Sequence, residues 1–390
     1  MKYDFDHVTD RSSTNSLKWN TFQNELPMWV ADMDFSAAPE ILGELQKRLA
    51  HGIFGYSVLS DEWYQAYIEW WQSRHNLKFE RQQMLFSPGV LPTICTCIRE
   101  LTNIGDNVVL LSPVYNCFYD CILSNGRTVL ECPLIYDGNE YRIDDKLLEQ
   151  QLSNSRTKML ILSNPHNPTG NIWDRDVLAA VGSLARENDV TVVSDEIHCD
   201  ITDPDTYYVP YLAAASENAN NSVTCISPTK AFNLAGLHTS AIVIPDKMIR
   251  RRIKEGLHSQ RIDGANAFAV QAAVSAFQKG GAWLDSLRHY LFENKQLVRN
   301  RLEAELPELK LIPSQATYLL WIDGTRAVTD NGFSLAQSIR NRTGLFLSDG
   351  AQFGKGGEGF LRMNIACPYS VVQDGLERLV TAIKAMEKIV

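Results

Sequence analysis

Three short motifs of this 390-residue chain carry an amide, a carboxylate and an amine at matching positions. Asn167 lies in Ser-Asn-Pro-His-Asn-Pro-Thr-Gly, Asp195 in Ser-Asp-Glu-Ile-His, and Lys230 in Ser-Pro-Thr-Lys-Ala-Phe-Asn. Each motif closely follows a short run rich in Val, Ile and Leu, which is typical of a buried strand. Because ligands bind beyond the carboxyl ends of the strands in an open α/β sheet, we expect the three side chains to converge there.

The chemistry of pyridoxal phosphate needs this set of groups. A lysine amine bonds to the cofactor's aldehyde, and a carboxylate pairs with the pyridine nitrogen so that the ring accepts electrons from a carbanion. A neutral donor near the phenolic oxygen adjusts the charge of that oxygen. The phosphate needs hydroxyl groups, backbone N–H groups and a helix N-terminus. Ser227, Thr229 and the turn at residues 87–90, which opens a predicted helix at Val90, are candidates for these contacts.

The motifs resemble those of the fold-type-I pyridoxal phosphate enzymes, the aspartate aminotransferase superfamily. The segment Met-Trp-Val-Ala-Asp-Met-Asp-Phe at residues 28–35, together with Asp-Glu-Ile-His, resembles one branch, the MalY/PatB-type cystathionine β-lyases or C–S lyases. The resemblance extends from about residue 28 to 368, with the motifs in the family's order. It implies the PLP-dependent transferase fold and a homodimer with shared active sites.

The resemblance also implies individual roles. Lys230 would bond to the cofactor and act as the catalytic base, Asp195 would pair with the pyridine nitrogen, and Asn167 would contact the ring oxygen O3′. Tyr115 would stack on the ring, and Arg362 would clamp the substrate α-carboxylate, for which a planar guanidinium is suited. The phosphate would be held by Gly89, Val90 and Ser227, with Tyr56 reaching in from the neighbouring subunit.

Two histidines depart from the aminotransferase pattern. His198 stands three residues after Asp195, where most aminotransferases carry a tyrosine that donates to O3′, and this change fits the C–S lyase branch. His238 stands eight residues after Lys230, where many carry a phosphate-binding arginine. Histidine titrates near neutral pH, so His238 supplies the missing positive charge only when it is protonated.

The predicted reaction is cleavage of the Cβ–S bond of L-cystathionine or a related cysteine S-conjugate to pyruvate, ammonia and a thiol. An aminotransferase acting on L-amino acids shares every step up to the carbanion, and no motif separates the two reactions on physical grounds. A third alternative is a protein that uses the same fold for a regulatory binding role. The sequence leaves the natural substrate and the pathway open.

The elements that must position these residues are apolar runs of strand length that alternate with stretches of helix length. The predicted fold is α/β, with a mostly parallel sheet sandwiched by helices and a smaller α+β domain. We assign residues 46–284 to a large cofactor-binding domain, and residues 1–45 with 285–390 to a small domain. The predicted strands of the large domain are Asn107–Leu111, Thr128–Leu134, Met159–Leu162, Val190–Val193, Val223–Ile226 and Ala241–Ile244.

Further elements are predicted on either side of those strands. The aromatic side chains of a helix over Asp61–Asn76 are expected in the core or at a subunit interface. The N-terminal segment is expected to pack on the C-terminal domain or on a partner subunit. The other predicted helices are Val90–Asn103, Val177–Asn188, Trp283–Leu306 and Val372–Ile389, and the small-domain strands are Tyr318–Ile322, Gly344–Leu347 and Phe360–Ile365.

Composition excludes several classes of function. The net charge of −9 disfavours non-specific binding to nucleic acid, which needs a basic face. Apolar runs stay well short of the roughly 18–20 residues that span a bilayer, and no signal-peptide pattern opens the chain. The eight cysteines are scattered without the paired spacing of a zinc site, so we predict no metal. These features favour a cytoplasmic enzyme.

Overall fold

The computed structural model describes residues 3–22, 24–327, 329 and 332–387. Within them the α-helices are α1 Pro39–His51, α2 Asp61–His75, α3 Val90–Leu101, α4 Cys117–Ser124, α5 Asp145–Leu152, α6 Arg175–Glu187, α7 Tyr211–Ala214, α8 Lys247–Ser259, α9 Ala269–Lys279, α10 Gly281–Glu305, α11 Leu335–Thr343 and α12 Tyr369–Glu387. The strands are β1 Leu26–Pro27, β2 Met84–Ser87, β3 Asn107–Leu110, β4 Thr128–Glu131, β5 Ile135–Tyr136, β6 Tyr141–Arg142, β7 Thr157–Ser163, β8 Thr191–Asp195, β9 Ser222–Ile226, β10 Ser240–Val243, β11 Lys310–Leu311, β12 Leu319–Asp323, β13 Leu345–Phe346, β14 Ser348–Asp349 and β15 Phe360–Asn364. The end of the predicted last helix, Ile389, lies outside the described residues.

The central sheet has seven strands in the order β2-β10-β9-β8-β7-β3-β4. Strands β4, β3, β7, β8 and β9 are mutually parallel, whereas β10 is antiparallel to both β9 and β2. Strand β2 therefore runs in the same direction as the parallel strands. The predicted α/β class with a mostly parallel sheet is confirmed.

Helices cover both faces of this sheet because the strand side chains alternate between two cores. On β7, Met159 and Ile161 pack in a cluster with Ile94 of α3. The intervening Leu160 packs in another cluster with Leu178 of α6. A strand buried on both faces needs an unbroken apolar run, which is the pattern that predicted this layout.

Some predicted strand boundaries were wrong. The strand predicted to continue to Leu134 ends at Glu131, and the strand predicted as Val190–Val193 instead extends to Asp195. The segment 344–347 does not form one strand. Gly344 adopts a positive φ of 71° as the C-cap of α11, and within the segment only Leu345–Phe346 belongs to a strand. A glycine favours this left-handed conformation because it has no Cβ.

The C-terminal part of the chain forms a four-stranded antiparallel sheet in the order β11-β12-β15-β14. The N-terminal segment joins this part, because Leu26 and Pro27 pair in parallel with Leu345 and Phe346. One hydrophobic cluster includes Phe232 of the central region and Leu376 of α12. The division between a large and a small domain at residue 284 stays a prediction, since this apolar core continues across it.

The aromatic helix α2 belongs to the core, as one of the two predicted alternatives states. Trp63, Tyr67 and Trp71 are each at most 1% exposed. Tyr67 and Trp70 pack against Phe277 of α9 with ring centroids 4.7 and 5.1 Å apart. Ser60 caps the helix by accepting a hydrogen bond from the Trp63 amide, which satisfies one of its free N–H groups.

Candidate active site

The predicted site residues follow strands that end at one edge of the central sheet. Ser163 at the end of β7 is in register with Asp195 at the end of β8. Lys230 comes four residues after the end of β9. Ser87 at the end of β2 is in register with Ser240 at the start of β10, so the 87–90 turn lies at the same edge.

Lys230 is held by a backbone carbonyl of the N-terminal segment. Its Nζ donates to the oxygen of Ala31 at 2.7 Å. Burial lowers the pKa of the amine, and the positive charge of Arg362 acts in the same direction, while Asp32 and Asp195 oppose the shift. A lowered pKa increases the fraction of neutral amine, which is the form that acts as a nucleophile or a base.

Asp195 is a buried carboxyl group that accepts few hydrogen bonds from the described residues. It is 7% exposed, and its Oδ1 accepts one backbone hydrogen bond, from Ile197 at 3.1 Å. Burial raises the pKa of Asp195 to about 6, which the Ile197 amide and the charge of Lys230 only partly offset. A positively charged group placed against this carboxylate would therefore lower its pKa again and be bound strongly.

Asn167 and Arg362 form a direct contact across 195 positions of sequence. Arg362 donates from Nη1 to Asn167 Oδ1 at 3.0 Å and from Nη2 to the Trp29 carbonyl at 2.9 Å. The guanidinium lies over the ring of Phe353 at 4.7 Å. Burial lowers the pKa of Arg362 to about 10, so the side chain remains a cation at neutral pH. These contacts hold the guanidinium in one orientation.

Tyr115 and His198 line the same region. Tyr115 is half-buried, and its pKa is raised, mainly by burial and then by the nearby Cys117 thiol. His198 is 4% exposed, and burial, together with Lys230 and Arg362, lowers its pKa to about 3. The imidazole is therefore neutral at physiological pH, and its buried Nδ1 atom has no hydrogen-bond partner among the residues that the structure describes.

Hydroxyl groups cluster where the phosphate contacts were predicted. Ser227 Oγ lies 2.8 Å from Thr229 Oγ1 and donates to the Thr239 carbonyl at 2.7 Å. Helix α3 begins at Val90 directly after Gly89, and the first N–H groups of a helix lack intrahelical partners. The edge between β2, β10 and β9 thus combines hydroxyls with a helix N-terminus, which is an arrangement suited to a phosphate.

Two predicted residues stand apart from these contacts in a single chain. His238 is exposed and adopts a φ of 51° as the cap of the short helix at residues 235–237. Tyr56 is fully exposed, at 112% of its reference area. The phosphate role of His238 and the contribution of Tyr56 to a neighbouring subunit stay predictions.

The residues that sequence reasoning missed lie mainly in the segment 28–35 and beside Arg362. The Trp29 and Ala31 carbonyls accept from Arg362 and Lys230, and a backbone acceptor has no sequence signature. The Tyr318 hydroxyl donates to Ala31 at 3.3 Å although it belongs to a segment predicted only as a strand. For Trp29 and Ala31, the available sequence signal was the Met-Trp-Val-Ala-Asp-Met-Asp-Phe motif that contains them.

One buried trio of metal-binding side-chain types occurs among the described residues: His75, Cys199 and Asp200. Asp200 Oδ1 already binds His75 Nε2 at 2.8 Å and accepts from Trp70 Nε1 at 2.9 Å. The pair of His75 and Asp200 thus links α2 to the segment that follows β8, and we assign no metal to the trio. No helix among the described residues is long and apolar enough to cross a membrane.

Residues 32–383 match the family described as aminotransferase class I and II. The chain belongs to this family. It is 40% identical to cystathionine beta-lyase PatB of Bacillus subtilis (strain 168), with 97% of this chain and 99% of the relative covered. It is 31% identical to protein MalY of Escherichia coli (strain K12), with 98% and 100% covered.

Solved structures show the same likeness. Cystalysin from Treponema denticola, which contains pyridoxal 5'-phosphate, has a TM-score of 0.94 at 30% identity and covers 99% of this chain and 100% of its own. The PLP-bound C-S lyase from Staphylococcus hominis has a TM-score of 0.93 at 31% identity, with 98% of each chain covered. The similarity thus extends over the full set of elements that carry the site.

Proposed function

We propose that this chain is a pyridoxal phosphate-dependent carbon–sulfur β-lyase that cleaves L-cystathionine or a related L-cysteine S-conjugate to pyruvate, ammonia and a thiol. The contact between Arg362 and Asn167 supports an amino acid as the substrate, because it places an oriented guanidinium, which can bind an α-carboxylate, in the region of Lys230. The likeness to PatB and to the C-S lyase of Staphylococcus hominis supports carbon–sulfur cleavage over transamination.

The residues present fit pyridoxal phosphate. The buried Asp195 carboxyl has one backbone donor and a raised pKa, so a protonated pyridine nitrogen would satisfy it. Lys230 supplies the amine for the aldehyde, and the hydroxyls of Ser227 and Thr229 with the α3 N-terminus supply donors for the phosphate. When bound, the cofactor supplies an electron-accepting ring that stabilises negative charge on the substrate Cα.

The chain's own groups would divide the remaining work. Arg362 binds the α-carboxylate and thereby orients the Cα–H bond. Lys230, whose pKa is lowered by burial, takes the Cα proton on its Nζ as a general base. Asp195 would pair with the pyridine nitrogen of the bound cofactor and favour its protonated form. His198 is neutral, so it adds no positive charge that would compete for electrons.

The decisive experiment incubates the cofactor-loaded protein with L-cystathionine in the absence of any keto acid. A lyase releases pyruvate and thiol over many turnovers. An aminotransferase stops after one turnover with its cofactor in the amine form, and that outcome would contradict the proposal. Lys230→Ala provides the negative control, and Lys254→Ala, on the surface helix α8, provides a matched lysine control that should retain full activity.

We further propose that the enzyme is a homodimer in which Tyr56 completes the active site of the neighbouring subunit. The segment around Tyr56 supports this, because Ile53, Phe54 and Val58 are 67%, 54% and 85% exposed. An exposed apolar segment of this kind is typical of a protein interface.

Subunit mixing tests this arrangement. Lys230→Ala and Tyr56→Ala homodimers should each be nearly inactive. After joint refolding, half of the dimers combine the two variants and hold one intact site, so about a quarter of wild-type activity should return. Absence of any recovery, with dimers present by sedimentation, would show that Tyr56 acts within its own subunit, and a fully active Tyr56→Ala homodimer would show that Tyr56 has no role in the site.

We also propose that the enzyme works in the cytoplasm. The eight cysteines are all free, which suits a reducing compartment. The thermal midpoint should accordingly be the same with and without a thiol reductant.

A further inference from the structure

Both cations of the site bind one stretch of backbone, residues 28–35, which we call the carbonyl loop. The Trp29 carbonyl accepts from Arg362 at 2.9 Å, and the Ala31 carbonyl accepts from Lys230 at 2.7 Å. The two acceptors are only two residues apart in sequence. The position of this loop therefore sets the placement of the guanidinium and of the free amine relative to one another.

An ionic cluster from the N-terminal segment holds the far end of the carbonyl loop. Asp34 Oδ2 binds Lys18 Nζ at 2.7 Å, and Asp34 Oδ1 binds Arg11 Nη1 at 2.9 Å and accepts from Trp19 Nε1 at 2.8 Å. Lys18 is 0% exposed, and Asp34 is 6% exposed. We call Arg11, Lys18 and Asp34 the N-terminal ionic cluster.

Arg11 contacts three consecutive loop residues. Its Nη1 also donates to the Met33 carbonyl at 2.9 Å, and its Nη2 binds Asp32 Oδ2 at 2.7 Å. Lys18 adds a hydrogen bond to the Asp32 carbonyl at 3.1 Å. The cluster thus restrains the backbone directly after Ala31, the residue that binds Lys230.

Buried ion pairs contribute little net stability, because desolvation of the charges offsets most of their attraction. These ion pairs can nevertheless fix the position of the carbonyl loop. A loop shift of roughly 0.6 Å would stretch the 2.9 Å bond between Arg362 and Trp29 to the limit of a hydrogen bond. The site therefore depends on a loop whose tether lies outside it.

We propose that Arg11, Lys18 and Asp34 are positioning residues that set the carboxylate affinity of Arg362 through the carbonyl loop. This inference rests on the proposed function, in which Arg362 binds the substrate carboxylate. None of the three residues is assigned a contact with the substrate or the cofactor.

The test compares Arg11→Gln with Arg74→Gln. Arg74 also forms a two-pronged ion pair, with Asp285 at 2.6 and 2.9 Å, but this pair links α2 to α10 and does not contact the carbonyl loop. Propionate probes the guanidinium, and its dissociation constant is measured through its effect on cofactor absorbance. We expect Arg11→Gln to raise that constant and KM about tenfold with kcat within threefold, a size common for residues that act through packed contacts.

Arg74→Gln should change propionate binding less than twofold even where it lowers the thermal midpoint as much. Equal effects of the two variants, or unchanged propionate binding in a folded Arg11→Gln protein, would overturn the inference. Lys18→Met should also raise the propionate dissociation constant. If this variant fails to fold, the Arg11→Gln measurement still tests the inference, because Arg11 is partly exposed. Propionate binding does not depend on which bond is cleaved, so an enzyme that proves to be a transaminase would refute the proposed function and leave this test intact.

Discussion

Replacement of Arg362 by lysine, compared on substrates with and without the α-carboxylate, tests the value of a two-pronged contact with that carboxylate. The guanidinium donates from Nη1 to Asn167 Oδ1 and from Nη2 to the Trp29 carbonyl, and it lies over the ring of Phe353. A lysine at this position keeps the positive charge but offers one compact ammonium group, which cannot reproduce the planar fork. The variant should therefore lose one charge-assisted hydrogen bond to the carboxylate.

The magnitude follows from that single bond. A hydrogen bond to a charged group contributes about 1.5–3 kcal/mol. At about 1.4 kcal/mol for each factor of ten, Arg362→Lys should lower kcat/KM for an L-cysteine S-conjugate by about 10- to 140-fold. Most of the loss should appear in KM, because the carboxylate is bound before and during the reaction.

The assay measures thiol release from two substrates that differ only in the α-carboxylate: an S-substituted L-cysteine and the corresponding S-substituted cysteamine. The wild-type enzyme should discriminate strongly between them, whereas Arg362→Lys should treat the cysteamine compound within about threefold of wild type. Arg74→Lys serves as the control for a general arginine exchange. An equal loss on both substrates would refute the reasoning, since Arg362 would then support the fold and not the carboxylate.

Three other outcomes follow from the structure. Lys230→Ala should abolish turnover and leave no phosphopyridoxyl group on the peptide that contains residue 230 after borohydride reduction, as measured by mass spectrometry. Burial raises the pKa of Asp195 from 3.8 to about 6 in the folded, cofactor-free protein, so the folded form binds the extra proton and stability falls as pH rises from about 4 to 6. Asp195→Asn should therefore stabilise the cofactor-free protein by about 3 kcal/mol at pH 8 and hardly at pH 3, measured by urea unfolding; equal effects at both pH values would contradict the assigned shift. Leu376→Ala, in the fully buried face of α12, should cost about 2–5 kcal/mol in the same assay, and a cost below 1 kcal/mol would show that the helix packs loosely.

The central sheet could be predicted because its strands are buried on both faces. Each of the runs that contain Val109, Leu160 and Val192 is a short apolar segment, and such runs between helices leave few alternatives. Strand β2 was not predicted, since Met84–Ser87 contains no β-branched residue, the type that most favours strands. The antiparallel direction of β10 has no local signal either, because direction is set by the connection and not by the strand's composition.

The site divides in the same way. Side chains in motifs after strands, such as Asp195 and Lys230, could be placed at one sheet edge from the order of the chain alone. The backbone carbonyl that binds Lys230 could not, because it comes from Ala31, about 200 positions earlier, and any residue carries such an acceptor. Long-range contacts of this kind depend on how the N-terminal segment folds back onto the body of the protein.

The pairing of Asn167 with Arg362 has an evolutionary consequence. Asn167 is predicted to contact the cofactor ring, and Arg362 is predicted to bind the incoming amino acid. Arg362 donates a hydrogen bond to Asn167, so the two roles are in direct contact. A substitution that removes this hydrogen bond at either position leaves the buried polar group at the other position without that partner. Related chains should therefore retain or replace the two together, so that cofactor chemistry and substrate choice are inherited as one trait.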